Sequence, residues 1–243
     1  MTAGELVKEQ ERLHQKIDKI ASKSHLLDSG KETIKDGVND IPAYVASPIK
    51  LMWILKEPWE VDEDGEVGNG GWNLYSLFDS LEAWRIKTYK AMAYIKYGME
   101  HNVYWEDMQQ IKKEPSLIHI LRDIAYLNIS KMPAATDSPD DHMWECTKIW
   151  KPFVEEQISV YNPDVIIYGG TANFLVPRMA LSEDKCIKRV YNAEWHPEIC
   201  ASVYRYNGRW IITARHPSRY SEVYIDTLIG ALQYVKGQIS NNK

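Results

Sequence analysis

The sequence predicts a three-layer α/β fold in which helices cover both faces of a central four-stranded parallel sheet. Four short apolar runs alternate with helical segments along the chain, which is the pattern of βαβ units. Hydrophobic residues make up 44% of the 243 residues, which is enough for one sizeable core. Each run ends in polar or glycine residues, and parallel sheets bind ligands beyond the carboxyl ends of their strands. We therefore expect a single domain over residues 1–243, with a ligand site at that edge.

The first half of the chain contains one predicted strand between helical segments. Residues 1–30 are predicted to form an N-terminal helical extension with a narrow apolar stripe. The run KLMWILK, over residues 50–56, lies between two prolines and is typical of a buried strand. An acidic, glycine-rich loop follows, after which apolar residues recur at helical spacing. Residues 85–122 continue this pattern and are predicted to be a helical insertion.

The second half contains three more predicted strands. They are IAYLNIS (124–130), DVIIYGG (164–170) and RWIITAR (209–215). A helix opening at SPDD separates the first two of these strands, and residues 222–236 form the last predicted helix. The alternation of strands and helices is what favours the parallel sheet.

Composition excludes several classes of protein. The net charge of −5 argues against nucleic-acid binding over the whole surface. No apolar run reaches the length of a membrane span, and the charged start of the chain does not resemble a signal peptide. The three cysteines are far apart and include no CxxC pair. We therefore expect a cytoplasmic protein with reduced thiols, no membrane contact, no metal site and no cofactor.

Four short motifs follow the predicted strands in order: LKEPWE, LNISKMP, YGGTANF and ARHPSRYS. In this order and placement they resemble the motifs of the uracil-DNA glycosylase superfamily, whose fold is a four-stranded parallel sheet flanked by helices. HPSRYS is the most specific of the four. The resemblance implies a hydrolase that cleaves the N-glycosidic bond of uracil, or of a related base, in DNA. The implied partner is DNA that contains uracil or another damaged base.

The resemblance assigns catalytic roles to Glu57 and His216. Glu57 would position the attacking water or stabilise positive charge on the sugar. His216 would donate a hydrogen bond to O2 of the leaving uracil anion. Asn128 would read the N3–H and O4 edge of uracil with its amide, and Trp59 would crowd the uracil 5-position. We expect Glu57, Asn128 and His216 to converge on one cleft.

The remaining implied contacts surround the flipped nucleotide. Ser218 would hold a phosphate, and Tyr220 would fill the gap left in the duplex. Gly169 would allow close backbone packing at its strand end. Trp72 or Phe78 would stack on the base.

Charge around the motifs is uneven. Residues 185–219 are locally basic, so Arg215 and Arg219 are expected to contact the nucleic-acid backbone. The acidic run over residues 60–66 follows LKEPW and would repel DNA if it faced the duplex.

The residues depart from the superfamily pattern at two important places. Glu57 is one methylene longer than the Asp found there, and Trp59 is larger than the Tyr. Two alternatives therefore stand beside the glycosylase reading. One is a non-catalytic protein of the same fold that binds nucleic acid, a nucleotide or a protein partner. The other is a different nucleotide-handling α/β enzyme.

Overall fold

The computed structural model describes residues 1–135, 138–191 and 199–241. The α-helices are α1 (Ala3–Lys23), α2 (Ile41–Ala46), α3 (Lys87–His101), α4 (Asp140–Tyr161), α5 (Ala172–Leu175) and α6 (Glu222–Asn241). The strands are β1 (Gly37–Val38), β2 (Leu51–Leu55), β3 (Ala125–Asn128), β4 (Val165–Gly169), β5 (Lys188–Tyr191), β6 (Cys200–Tyr206) and β7 (Arg209–Ala214). Short 3-10 helices cover Leu26–Ser29, Leu74–Asp79, Leu81–Arg85, Trp105–Asp107, Pro115–Asp123, Arg178–Leu181, Glu183–Lys185 and Pro217–Arg219.

The chain divides into two compact units. The first comprises Met1–Leu77 and Asp123–Pro163, and the second comprises Phe78–Arg122 and Asp164–Lys243. Each unit contains strands flanked by helices, so the α/β class is confirmed. No helix in the described ranges is both long and apolar enough to cross a lipid bilayer.

The first unit has the strand order β1-β3-β2. Strands β2 and β3 are parallel, with Leu55 opposite Asn128, whereas β1 is antiparallel to β3. Helix α1 begins with a capping box in which the Thr2 hydroxyl accepts the Glu5 backbone N–H and the Glu5 carboxylate accepts that of Thr2. One face of α1 is buried, in agreement with the apolar stripe in the sequence. Helix α4 continues through Pro152 without ending.

The second unit has the strand order β4-β7-β6-β5. Only β4 and β7 are parallel, because β6 runs antiparallel to both of its neighbours. Asn207 and Gly208 connect β6 to β7 with φ of +49° and +76°, which is the left-handed backbone that a tight hairpin needs. Helices α3 and α6 pack together, and Gly98 makes room for this, since an added Cβ would overlap Ile229 Cδ1.

The prediction of four parallel strands is therefore correct only in part. The four predicted runs are all strands, but the described residues include three more strands. Each unit therefore combines parallel and antiparallel strand pairs. The additional strands pair antiparallel because a hairpin or a short edge segment needs no crossover helix. Strands β1 and β5 escaped prediction because β1 has only two residues and β5 is exposed or half-buried rather than apolar.

Candidate active-site residues

Two predicted site residues follow neighbouring strand ends in the first unit. Asn128 is the last residue of β3, and Glu57 comes two residues after the end of β2. The backbone N–H groups of Ile129 and Ser130 donate to the carbonyls of Leu55 and Lys56, so the two chains remain paired just past the strand ends. Parallel pairing therefore brings Glu57 and Asn128 to the same end of this sheet.

The Asn128 side chain is buried without a hydrogen bond. The residue is 0% exposed, and neither Oδ1 nor Nδ2 has a partner among the described residues. A buried amide normally satisfies both groups, because each unpaired group costs about 1–3 kcal/mol. The amide therefore presents one donor and one acceptor that the fold itself does not use.

The backbone of Asn128 is, by contrast, held at both polar groups. Its N–H donates to Asp36 Oδ2 at 2.8 Å, and its carbonyl accepts from Lys131 Nζ at 2.6 Å. Asp36 and Lys131 also form an ion pair with side chains 1% and 0% exposed. Burial lowers the pKa of Lys131, and the Asp36 carboxylate opposes this shift. The ion pair fixes where the Asn128 amide is placed.

Asp36 is itself fixed from two other elements. Gln157 of α4 donates to its Oδ1 at 2.7 Å, and the Nε2–H of His14 in α1 donates to its backbone carbonyl at 3.0 Å. Burial lowers the pKa of His14, against the opposing hydrogen bond to Asp36. Two helices thus support the residue that positions Asn128.

Glu57 is a nearly buried carboxyl. Its side chain is 7% exposed, and Oε2 has no hydrogen-bond partner within the described residues. Burial raises the pKa of Glu57 to about 7, and the positive charge of Lys56 opposes this shift. His142 Nε2 lies 3.6 Å from Oε2, and Cys146 Sγ lies 3.4 Å from the same His142 nitrogen.

The two tryptophans of the predicted site have different surroundings. Trp59 is 59% exposed, on a segment that pairs with the backbone of Ala134. Trp72 is half-buried, and its indole N–H donates to Glu60 at 2.8 Å. The same Glu60 oxygen accepts the N–H of Gly70, so this acidic residue holds its own loop together.

His216 begins the HPSRYS segment in the second unit. Its Nδ1 accepts the backbone N–H of Ser218 at 3.2 Å, and the Ser218 hydroxyl lies 2.8 Å from the same nitrogen. A backbone N–H can only donate, so Nδ1 is the acceptor and the proton of the neutral ring lies on Nε2. The next turn is held by a bond from the Tyr224 hydroxyl to the Arg215 carbonyl at 2.8 Å.

A cavity lies at the ends of β4 and β7. Its volume is 290 Å³, close to the lower limit for small-ligand pockets, and its lining includes Gly170, Thr171, Tyr204 and Ala214. Gly170 has a φ of +74°, and an added Cβ would lie 3.7 Å from the backbone nitrogen of His216. Gly169 ends β4 and is buried. The cavity therefore adjoins the HPSRYS segment at the edge where the sequence predicts a ligand site.

The other predicted residues of the second unit vary in exposure. Phe78 is fully buried and packs edge-on against Tyr89, with ring centroids 5.3 Å apart. Tyr220 is half-buried, and burial raises its pKa. Arg219 is exposed, whereas Arg215 is half-buried with its guanidinium 5.4 Å from the centre of the Tyr224 ring. Part of the basic stretch, residues 192–198, lies outside the described ranges.

Four residues that shape these surroundings were not predicted from the sequence: Asp36, Lys131, His142 and Cys146. Asp36 and Lys131 resemble ordinary solvated charges in the sequence, and nothing local indicates that they pair 95 residues apart. His142 and Cys146 did carry a signal. They stand four residues apart on a helix, a spacing that places two metal-binding side chains on one face.

Glu57, Asn128, Trp59 and Trp72 belong to the first unit, and the HPSRYS residues belong to the second. The convergence of Glu57, Asn128 and His216 on one cleft stays a prediction. No protein-family model matches the chain, and no curated protein matches it significantly.

Proposed function

We propose that the protein is a uracil-DNA glycosylase-like hydrolase that cleaves the N-glycosidic bond of uracil, or of a related base, in DNA. The observation that carries this proposal is the buried amide of Asn128, in which both polar groups lack a partner among the described residues. An amide of this kind is complementary to a ligand that offers one donor and one acceptor side by side.

The edge of uracil supplies that pair. N3–H donates to Oδ1 of Asn128, and O4 accepts from Nδ2. Cytosine presents an acceptor at N3 and a donor at N4, so it opposes both groups of the amide in this orientation. The clamp formed by Asp36 and Lys131 fixes the backbone at Asn128, so the amide is held at one place.

In its neutral form, His216 has the tautomer that suits the leaving group. Bond cleavage leaves negative charge on the base, including its O2 atom. A neutral imidazole with its proton on Nε2 donates a hydrogen bond to this charge, and Ser218 holds the ring in that tautomer. A donor aimed at charge that develops in the transition state is worth about 10²–10³-fold in rate.

Glu57 supplies the opposite charge. As the C1′–N1 bond breaks, positive charge accumulates on the sugar, and a carboxylate stabilises it or orients the water that attacks C1′. The shielding of Glu57 from solvent strengthens this electrostatic effect. The hydroxyl group of the water bonds to C1′, and the remaining proton of the water neutralises the uracil anion. The products are therefore free uracil and an abasic sugar.

The test is release of free uracil from an oligonucleotide with one uracil, as a single strand and as a duplex. We expect release by the natural protein, a loss of about 100-fold or more in His216→Ala and a loss of roughly 5–150-fold in Asn128→Ala, with both variants folded. His101→Ala is the matched control, because His101 is exposed and packs against Tyr97 of its own helix. Absence of release, combined with retained binding to the same oligonucleotide, would replace this function with the non-catalytic one.

A further inference from the structure

Three side chains with metal-binding atoms meet beside the end of β2. Glu57 comes from the loop after this strand, and His142 and Cys146 come from the first two turns of α4. One atom from each residue can be chosen so that all three lie within 4.8 Å of one another. All three residues belong to the first unit.

The two separations that involve His142 match those around a tetrahedral ion. Zinc binds nitrogen and oxygen at about 2.0–2.1 Å and sulfur at about 2.3 Å, so tetrahedral ligands lie roughly 3.3–3.6 Å apart. His142 Nε2 is 3.4 Å from Cys146 Sγ and 3.6 Å from Glu57 Oε2. A 3.6 Å contact is long for a hydrogen bond but suits two ligands of the same ion.

An independent observation also indicates a missing partner. The Glu57 side chain is 7% exposed, and its Oε2 atom is buried with no hydrogen-bond partner among the described residues. This is the same oxygen that faces His142. A buried carboxylate oxygen without a partner is costly, and a cation would satisfy it directly.

The kinds of ligand and their exposure select the ion. One thiolate, one imidazole and one carboxylate suit borderline-soft Zn²⁺, whereas Mg²⁺ and Ca²⁺ prefer sets made only of oxygen. The His142 side chain is 55% exposed, which gives the ion a path from solvent. The neighbouring Lys56 ammonium pairs with Asp140 at 3.2 Å, so a second carboxylate offsets its repulsion of a cation.

We propose that Glu57, His142 and Cys146 bind one Zn²⁺ ion, with a fourth position left for water. This inference does not rest on the glycosylase activity. Both proposals use the Glu57 carboxylate, but the test below measures metal binding alone, so either proposal can fail without the other.

The experiment is titration of the metal-free, reduced full-length protein with Zn²⁺ by calorimetry, and with Co²⁺ by absorption spectroscopy. We expect one equivalent of either ion to bind, and Co²⁺ to give the visible bands of a tetrahedral site and a thiolate-to-cobalt charge-transfer band. Cys146→Ser should abolish the charge-transfer band. His142→Ala and Glu57→Gln should each lower the Zn²⁺ affinity about 100-fold or more, because changes to residues that only support metal ligands already cost roughly 10–100-fold.

Controls separate this site from others in the chain. Cys186→Ser and Cys200→Ser remove the other two thiols, which are both half-buried, and should leave binding and spectra unchanged. His142 is largely exposed, so His142→Ala should keep its circular dichroism spectrum and gives a test that does not depend on core packing. The proposal is wrong if no stoichiometric binding occurs, or if binding survives His142→Ala and Cys146→Ser.

Discussion

Replacing Asn128 with leucine should make the protein more stable and less active. The amide has no partner for Oδ1 or Nδ2 among the described residues, although the residue is 0% exposed. A leucine of similar shape removes both unpaired groups and adds apolar contact. Opposite changes in stability and activity are expected where a fold tolerates an unfavourable group for the sake of a ligand.

The size of the effect follows from two opposing contributions. Removing two unpaired buried groups gains about 1–3 kcal/mol for each group. The greater bulk of leucine among buried neighbours costs about 1–3 kcal/mol. Taking the middle of each range, about 4 kcal/mol gained and about 2 kcal/mol lost, the net gain in free energy of unfolding is about 2 kcal/mol, and this corresponds to a rise in Tm of roughly 4–8 °C for a chain of this length. Loss of the paired hydrogen bonds to uracil, worth about 1–3 kcal/mol, lowers uracil release roughly 5–150-fold.

Calorimetric melting and the uracil-release assay measure the two effects on the same preparation. Asn39→Leu is the control for stability, since the Asn39 amide is half-buried and donates to the Tyr75 carbonyl at 3.2 Å. That variant should melt at a lower temperature than the natural protein. A lower Tm for Asn128→Leu would show that its amide serves the fold, and undiminished uracil release would remove Asn128 from the proposed site.

Three further changes test other parts of the structure. Lys131→Met leaves the buried Asp36 carboxylate without its ion pair, so it should lower the free energy of unfolding, measured by urea titration, by about 3–5 kcal/mol. A decrease of less than about 1 kcal/mol would contradict this. Arg219→Glu should weaken DNA binding and reduce its salt dependence more than Lys112→Glu does, and equal effects would place the binding face elsewhere. Burial lowers the pKa of His14 in the folded protein. The stability that the neutral imidazole contributes is therefore complete above its pKa in the unfolded chain, about 6.5, and is lost as pH falls through its lower pKa in the folded protein. His14→Gln should therefore lose less stability than the natural protein when the pH falls below about 6.5. If the free energy of unfolding depended on pH equally in both proteins, this expectation would be wrong.

The strands were predictable where burial leaves a continuous apolar run. The predicted strand over residues 50–56 is β2 at Leu51–Leu55, and the other three runs agree equally well. The antiparallel strand β6 was missed although Asn207-Gly208 is a strong hairpin signal between two strand-like runs. Recognising that turn would have shown that β7 has an antiparallel neighbour.

The candidate site was predictable only where strand ends carry its residues. Asn128 ends β3, so its position follows from the strand itself. The buried pair of Asp36 and Lys131 joins segments 95 residues apart, and no local pattern distinguishes these charges from solvated ones. Long-range pairing of this kind depends on the assembled core, and that is why the support for Asn128 appears only in the structure.

Trp59 provides the remaining test of how the proposed enzyme would select its base. An aromatic ring beside the uracil 5-position excludes thymine by contact with its methyl group. The Trp59 side chain is 59% exposed, so it packs little against the fold, and Trp59→Ala should change the free energy of unfolding by about 0.5 kcal/mol or less. We expect this variant to retain uracil release and to gain release of thymine opposite guanine, measured on matched duplexes. Trp72→Phe serves as the control, because it keeps an aromatic ring at Trp72 while it shortens the ring system and removes the indole N–H that donates to Glu60, and it should not admit thymine. If instead the natural protein were inactive and Trp59→Ala released uracil, the indole would block the site. The natural protein would then not be a uracil glycosylase.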